Sequence, residues 1–120
     1  MLYDIARPQG YNTLCIEVSP FAANVLDLQF TGSKNPEEGL RKLYEEHPFT
    51  IPFYNNKNDV ELFKNVSAHK GEIWGIDQVF MAEFRLVFDY LVNLNANEAL
   101  RIAVEPLLEE AKLGFENPYE

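Results

Sequence analysis

The 120-residue sequence contains one cysteine and two histidines, and this scarcity excludes several kinds of chemistry. Cys15 cannot form an intramolecular disulfide, so nothing in the sequence indicates an oxidising compartment. Its apolar neighbourhood, LCIEV, predicts a buried and unreactive thiol. His47 and His69 lie far apart, and His47 is expected at the surface, at the end of a helix. We therefore expect neither a metal site nor a cofactor.

Motifs for catalysis are also missing. The sequence has no GxSxG, CxxC or HExxH motif, and its six glycines occur singly, so no glycine-rich phosphate loop is present. Acidic residues are so numerous that no particular pair is singled out for acid–base work. We expect a protein that is not an enzyme and has no catalytic residues. A small enzyme or ligand-binding domain is the alternative, and it requires a cleft holding His47 or His69 beside a carboxylate.

Basic residues are few. Ten Lys and Arg residues stand against 19 Asp and Glu residues, which gives a net charge of −9. Such a chain is repelled by phosphate backbones and anionic lipid, so we expect no direct binding to nucleic acid or membranes. The imbalance is greatest in residues 77–120, where nine acids face three bases.

Long hydrophobic runs are absent. No apolar stretch approaches the roughly 18 residues typical of a membrane span, and the N-terminal MLYDIARPQG has no basic start followed by an apolar run. We expect a cytoplasmic protein. The chain is nevertheless 47% hydrophobic and 13% aromatic, which predicts a folded core and, at this length, a single domain over residues 1–120.

Two β-type runs occur in the first 30 residues, at 13–18 (TLCIEV) and 24–30 (NVLDLQF). In the second run Leu26, Leu28 and Phe30 alternate with more polar positions, which is typical of a half-buried strand. The short stretch between the runs predicts an antiparallel hairpin. Weaker extended segments are expected at residues 2–5 and 49–54, and residues 72–74 form either a short strand or the lead-in to the following helix.

Helical patterns fill most of the remaining chain. Asn35 and Pro36 predict the start of a helix over residues 36–46, and Asp59 predicts the cap of a short one. Apolar spacing predicts a long helix over residues 76–94 and another after Asn97, kinked or briefly interrupted at Pro106 and ended near Gly114. The predicted fold class is α+β, with a small antiparallel sheet from the N-terminal half packed against three to four helices, the longest in the C-terminal half.

The acidic C-terminal part suggests a binding surface. We predict a small module that binds and inhibits a basic protein by stoichiometric occlusion, such as an immunity protein or phage-type inhibitor of a nuclease or other nucleic-acid-binding protein. Aromatic residues outside the helical stripes are candidate anchors. The predicted partner-binding residues are Glu105, Glu109, Glu110, Glu116, Tyr54 and Trp74.

One alternative function and the role of one short stretch remain open for this sequence. An adaptor, subunit or secretion-type chaperone acting as a homodimer would need a large exposed apolar patch. The stretch EEHPFTIPFYNNKND, residues 45–59, is interpreted as a helix end followed by an edge segment, and secondarily as a contact loop.

Overall fold

A computed structural model describes residues 2–31, 34–51, 53–54, 56–94 and 97–116, except for the side chains of residues 115 and 116. Within these residues the chain is mostly helical and forms only two short strands. A 3₁₀ turn, Arg7–Gln9, follows the first helix. The elements are α1 Leu2–Ala6, β1 Thr13–Ile16, α2 Pro20–Thr31, α3 Pro36–Glu46, α4 Lys57–Ala68, β2 Glu72–Gly75, α5 Glu83–Asn93 and α6 Glu98–Glu116.

The predicted fold class is wrong. The described residues form six helices instead of the expected three to four, and their two-stranded sheet is parallel instead of antiparallel. β1 pairs with β2 from Thr13 opposite Glu72 to Ile16 opposite Gly75. Parallel strands need a crossover connection, and helices α2 to α4 supply it between β1 and β2. The predicted hairpin between residues 13–18 and 24–30 is therefore absent.

The main error concerns residues 24–30, which belong to α2. The Ser19 hydroxyl accepts the backbone N–H of Ala22 at 3.0 Å, and Pro20 occupies the first helical position, so the helix has a well-formed start. Leu26 and Phe30 are buried whereas Leu28, between them, is 52% exposed. Burial therefore follows the i, i+4 spacing of a helix and not the alternation of a strand.

Two other predicted extended segments are absent. Residues 2–5 lie in α1, and the described residues of 49–54 form turns and bends. Thr50 and Ile51 are buried and fix this loop to the core, whereas Phe49 and Phe53 are exposed. Both phenylalanines have left-handed backbones, with φ of 65° and 73°, which is incompatible with a strand.

Helix boundaries in the second half differ from the prediction. α5 begins at Glu83 because Ile76 and Asp77 continue the strand pairing, donating their N–H groups to Ile16 at 3.1 Å and Val18 at 3.0 Å. α6 is continuous across Pro106 and passes Gly114. None of the helices in the described residues is sufficiently long and apolar to cross a bilayer.

Other predictions are confirmed. α3 spans Pro36–Glu46, and Asn35 accepts the N–H of Glu38 at 3.4 Å. The short strand at 72–74 exists as β2. The predicted short helix exists as α4, but Asp59 is not its cap: Asn56 is the cap, and Asp59 completes a capping box from the third helical position.

The core lies between α2, α4 and one face of the sheet. Its most completely buried apolar side chains include those of Val18, Leu26, Phe63 and Val66. Cys15 projects from the other face of β1 and is exposed, so the predicted burial of its thiol is wrong. The reason is strand alternation, which turns Ile16 inward and Cys15 outward.

Candidate partner-binding site

Of the two predicted aromatic anchors, Trp74 is the one whose side chain is exposed and can contact a partner. Its side chain is 57% exposed, while its neighbour Ile73 points into the core. Glu72 lies on the same outer face of β2, two residues away, and its Oε2 accepts the Trp74 indole N–H at 2.9 Å. This hydrogen bond orients the indole along the strand, so one aromatic face is held in a defined position.

A close contact between α2 and β2 places a second wall beside Trp74. A Cβ atom on Gly75 would lie 2.1 Å from the carbonyl oxygen of Ser19, so only glycine allows the start of α2 to approach the end of β2 this closely. From that point Pro20, Asn24 and Asp27 recur at i, i+4 and i+7 along one side of α2 and face β2.

The space between these elements, here called the Trp74 groove, has a volume of about 500 Å³. Two carboxylates, Asp27 and Glu72, line it together with the indole, and none of the lining residues that the structure describes is a lysine, arginine or histidine. An aromatic wall and two uncompensated carboxylates make it a site of negative potential. The groove is lined by Pro20, Asn24, Asp27, Glu72, Ile73, Trp74 and Gly75.

Asp27 is the most unusual residue in the groove. Its Oδ1 atom is enclosed and has no hydrogen-bond partner. Loss of hydration raises the pKa of Asp27, the charge of Glu72 raises the pKa further, and the backbone N–H of Ile73 acts in the opposite direction. A positively charged group in the groove would stabilise the ionised carboxylate through its charge.

The structure does not bring the predicted α6 glutamates to this groove. Glu105 forms an ion pair with Arg101 at 2.6 Å, and Glu109 forms one with Lys112 at 2.8 Å. Glu110 is exposed on the same helix. The side chain of Glu116 lies outside the described part of the structure.

Tyr54, the other predicted anchor, is half-buried and makes internal contacts. Its hydroxyl accepts the N–H of Glu17 at 3.0 Å, and its carbonyl accepts the Tyr44 hydroxyl at 2.6 Å. Its ring centroid lies 6.0 Å from that of Phe63. These contacts tie the loop after α3 to the core and leave little of the Tyr54 ring for a partner.

His47 is buried, contrary to the predicted surface position, and only 8% of its surface is exposed. Its Nε2 lies 3.4 Å from Oδ2 of Asp89, whereas Nδ1 is enclosed and has no hydrogen-bond partner. Burial lowers the pKa of His47, and the nearby Asp89 carboxylate opposes that effect. The imidazole is therefore held mainly in its neutral form at neutral pH.

A second cavity, of about 320 Å³, adjoins this histidine where α2, α3 and α5 meet. Gly39, in the middle of α3, lines it with backbone alone, although glycine inside a helix costs about 1 kcal/mol relative to alanine. A histidine beside a carboxylate in a cavity is the arrangement that the ligand-binding alternative requires. The His47 cavity is lined by Val25, Gln29, Gly39, Lys42, Leu43, Glu46, His47, Leu86, Asp89, Tyr90 and Asn93.

Asp27 and Glu72 are the groove residues that sequence reasoning missed. The predicted strand at 72–74 already places Glu72 and Trp74 on one face, so Glu72 could have been found from that spacing. Asp27 could not, because the alternating pattern predicts a strand over residues 24–30, whereas the approach of Asp27 to β2 depends on the packing of helix α2.

The described residues contain no cluster of three or more histidine, cysteine, aspartate or glutamate side chains arranged to hold a metal ion. Comparisons with protein-family models, curated proteins and solved structures give no match to this chain. The functional argument therefore rests on the geometry and charge of the sites themselves.

Proposed function

We propose that this protein is a binding module that docks on a basic partner protein and occludes it, with the Trp74 groove as its contact. The observation that carries the proposal is the composition of the groove. An exposed indole and two carboxylates share about 500 Å³ without a cationic side chain among the lining residues. A cationic side chain of a partner would gain both an aromatic face and charge-assisted hydrogen bonds there.

The overall charge supports the same proposal at longer range. A net charge of −9 attracts basic surfaces and accelerates encounter with them, and it repels nucleic acid. A nuclease or other nucleic-acid-binding protein presents the kind of surface that such a module would cover. Arg101 and Lys112 offset the charges of Glu105 and Glu109, which reduces the contribution of α6 to this field. The groove is therefore the proposed point of contact.

Capture on the immobilised chain tests the function. Extracts of the native host are passed over wild-type protein, over Trp74→Ala and over the double variant Asp27→Asn with Glu72→Gln, and bound proteins are eluted by raising the salt concentration. We expect a basic protein that wild type retains and both groove variants lose. Glu61→Gln is the matched control, since it removes one exposed carboxylate on α4, outside the groove.

Retention that is equal on wild type and groove variants would exclude the groove as the contact. An eluate without basic proteins would contradict the function as a whole, because charge complementarity is its physical basis.

A second candidate function is the binding of a small ligand at the His47 cavity. A buried histidine with an unpartnered ring nitrogen, next to Asp89 and a cavity of about 320 Å³, favours it. Apolar Leu43 and Leu86 would contact the body of such a ligand, and Glu46 and Asp89 would accept its donors.

Ligand-observed NMR with a library of fragment-sized amines tests this second candidate. Binding to wild type, a change in the His47 ring resonances and loss of binding in Gly39→Leu would support it, because a leucine would project from the cavity lining. A library without any fragment that meets these three criteria would refute it.

A further inference from the structure

The free edge of β2 supplies the Trp74 groove with backbone groups as well as side chains. The N–H of Glu72 donates to the carbonyl of Asn12 at 3.1 Å, and that of Ile76 donates to the carbonyl of Ile16 at 3.1 Å. The backbone N–H and C=O groups of the even-numbered residues in this segment therefore point towards β1. Because peptide groups alternate along a strand, the N–H and C=O of Ile73 point to the opposite edge, where the groove lies. Asp27 interacts with that N–H, and the Ile73 carbonyl remains as an acceptor.

The groove is thus rich in acceptors and poor in donors. Oε1 of Glu72 is free because the indole N–H bonds to Oε2, and Asp27 adds a second, half-buried carboxylate whose Oδ1 is enclosed. The Ile73 carbonyl adds a third acceptor along the same edge. The indole donor is already used internally, and the Asn24 carboxamide is the other side-chain donor among the described lining residues, so acceptors outnumber donors and donors from outside can bind there.

We propose that the Trp74 groove takes an arginine side chain of the basic partner. The guanidinium stacks on the Trp74 indole and donates to Asp27, while its remaining N–H groups face Glu72 and the Ile73 carbonyl. This inference rests on the proposed function, because it names the side chain by which the partner is recognised.

The chemistry of the groove favours arginine over lysine. A guanidinium is planar, carries five donors and is less strongly hydrated than an ammonium, so it can stack on an aromatic face and donate to separate acceptors at once. An ammonium carries three donors around a compact charge and cannot stack in this way. An extended set of acceptors beside a flat indole is therefore better matched by arginine.

The single tryptophan of the chain makes the test direct, because all indole fluorescence comes from the groove. The probes are three short peptides of sequence Gly-Ser-X-Ser-Gly with blocked ends, in which X is arginine, lysine or citrulline. Citrulline has nearly the shape of arginine without its charge. We expect the arginine peptide to change the Trp74 emission and to bind about tenfold more tightly than the lysine peptide, a difference of about 1.4 kcal/mol.

Two isosteric variants locate the binding energy. Asp27→Asn can still accept the Ile73 N–H, and Glu72→Gln can still accept the indole N–H. Each variant therefore keeps the shape and hydrogen bond of the groove lining and removes one negative charge. We expect each to weaken binding of the arginine peptide severalfold, and Glu61→Gln, which removes an exposed carboxylate on α4 outside the groove, to leave its affinity unchanged. Circular dichroism of each variant confirms that the fold is retained.

The possible failures are distinguishable. Equal affinity for arginine and lysine peptides would overturn the arginine inference and leave the basic-partner function intact. Equal affinity for arginine and citrulline, or no response to the arginine peptide, would also overturn it. Failure of the function itself would appear separately, as the absence of a salt-eluted basic protein in the capture experiment.

Discussion

Single residues in the groove show a conflict between stability and binding. Asp27 contributes a partly buried carboxylate whose Oδ1 has no partner, which weakens the fold at neutral pH. Its retention there is consistent with a functional use, because sites that bind charge are often costly to the free protein. Glu83 is a second buried carboxylate, at the start of α5, but it does not line the groove.

Replacement of Asp27 by Asn should therefore move stability and binding in opposite directions. Burial raises the pKa of Asp27 above 3.8, so the folded state resists its ionisation and loses stability as the pH rises through that raised value. We expect a gain of roughly 1 to 2 °C in Tm at pH 7. The gain should vanish below pH 3.8, where the carboxyl is protonated in both states.

Thermal unfolding over a pH series measures the stability effect, and peptide affinity measures the binding effect. Glu83→Gln is the control: burial also raises the pKa of Glu83, so this variant should gain stability at pH 7 without losing affinity. A less stable Asp27→Asn protein at pH 7 would contradict the assigned cost of this carboxylate.

His47 should make the protein sensitive to acid. Burial lowers its pKa, so the folded state disfavours the imidazolium and stability falls as the pH drops below the ordinary value of 6.5 through the lower folded value. The charged side chains near the ring are Asp89 and Arg85 of α5, Glu46 of α3 and Lys112 of α6.

Thermal unfolding between neutral and mildly acidic pH measures this sensitivity. We expect His47→Gln to flatten the acid limb of the Tm profile, whereas His69→Gln, at an exposed site, should leave the wild-type slope. A wild-type slope in His47→Gln would show that other groups are responsible for acid sensitivity.

At the scale of elements, the approach of α2 to β2 creates the groove, and Gly75 permits that approach. In Gly75→Ala the new methyl group would meet the Ser19 carbonyl, which is backbone and cannot move aside cheaply. We expect a loss of about 2 kcal/mol or more in the free energy of unfolding, because overpacking of this kind costs about 1 to 3 kcal/mol.

Chemical denaturation of the variant measures that loss. Gly114→Ala is the matched control, since it also adds one methyl group but has no atom within 4 Å of the new Cβ and lies in α6. It should be neutral or stabilise the helix by up to about 1 kcal/mol. Equal effects in the two variants would refute the close packing at Gly75.

Helices and strands whose ends carry clear capping or bounding residues could be predicted from the sequence. Elements that depend on contacts with segments far along the chain could not. Asn35 and Pro36 define the start of α3 locally, and the glycines around 72–74 bound β2. Residues 24–30 satisfy both a helical and an alternating pattern. The Ser19 cap decides between them, but the hairpin prediction places Ser19 in a loop. Parallel pairing of β1 and β2 arises across three helices, beyond the reach of local patterns.

The candidate site was predictable only in part, for the same reason. Trp74 could be identified as an aromatic residue outside the helical stripes, and Glu72 follows from strand periodicity. Asp27 joins them through packing between α2 and β2. The α6 glutamates were chosen from sequence density, which does not show that Arg101 and Lys112 pair with two of them.

At the scale of the whole molecule, the chain is more extended than a typical domain of its length. Its radius of gyration is 15.8 Å, and about 13.6 Å is expected for a compact chain of this size. α6 packs mainly against α5. Exposed apolar side chains lie on this pair of helices, namely Phe84, Ile102, Leu107 and Leu113.

The homodimeric adaptor remains the alternative at this scale, because those side chains are what a second copy would cover. Light scattering coupled to size exclusion tests it. Our proposal expects the mass of one chain, 13.8 kDa, over a range of concentrations. A mass of two chains that does not change with dilution would favour the adaptor function.

The central claim is that the Trp74 groove binds a cationic side chain. The most direct measurement is the indole N–H resonance of ¹⁵N-labelled protein during titration with the arginine peptide at low ionic strength. We predict a saturating shift of this one resonance, reversed by added salt and greatly reduced in Asp27→Asn and Glu72→Gln. An indole resonance that stays in place while the peptide binds elsewhere, or that shifts equally with the citrulline peptide, would contradict the claim.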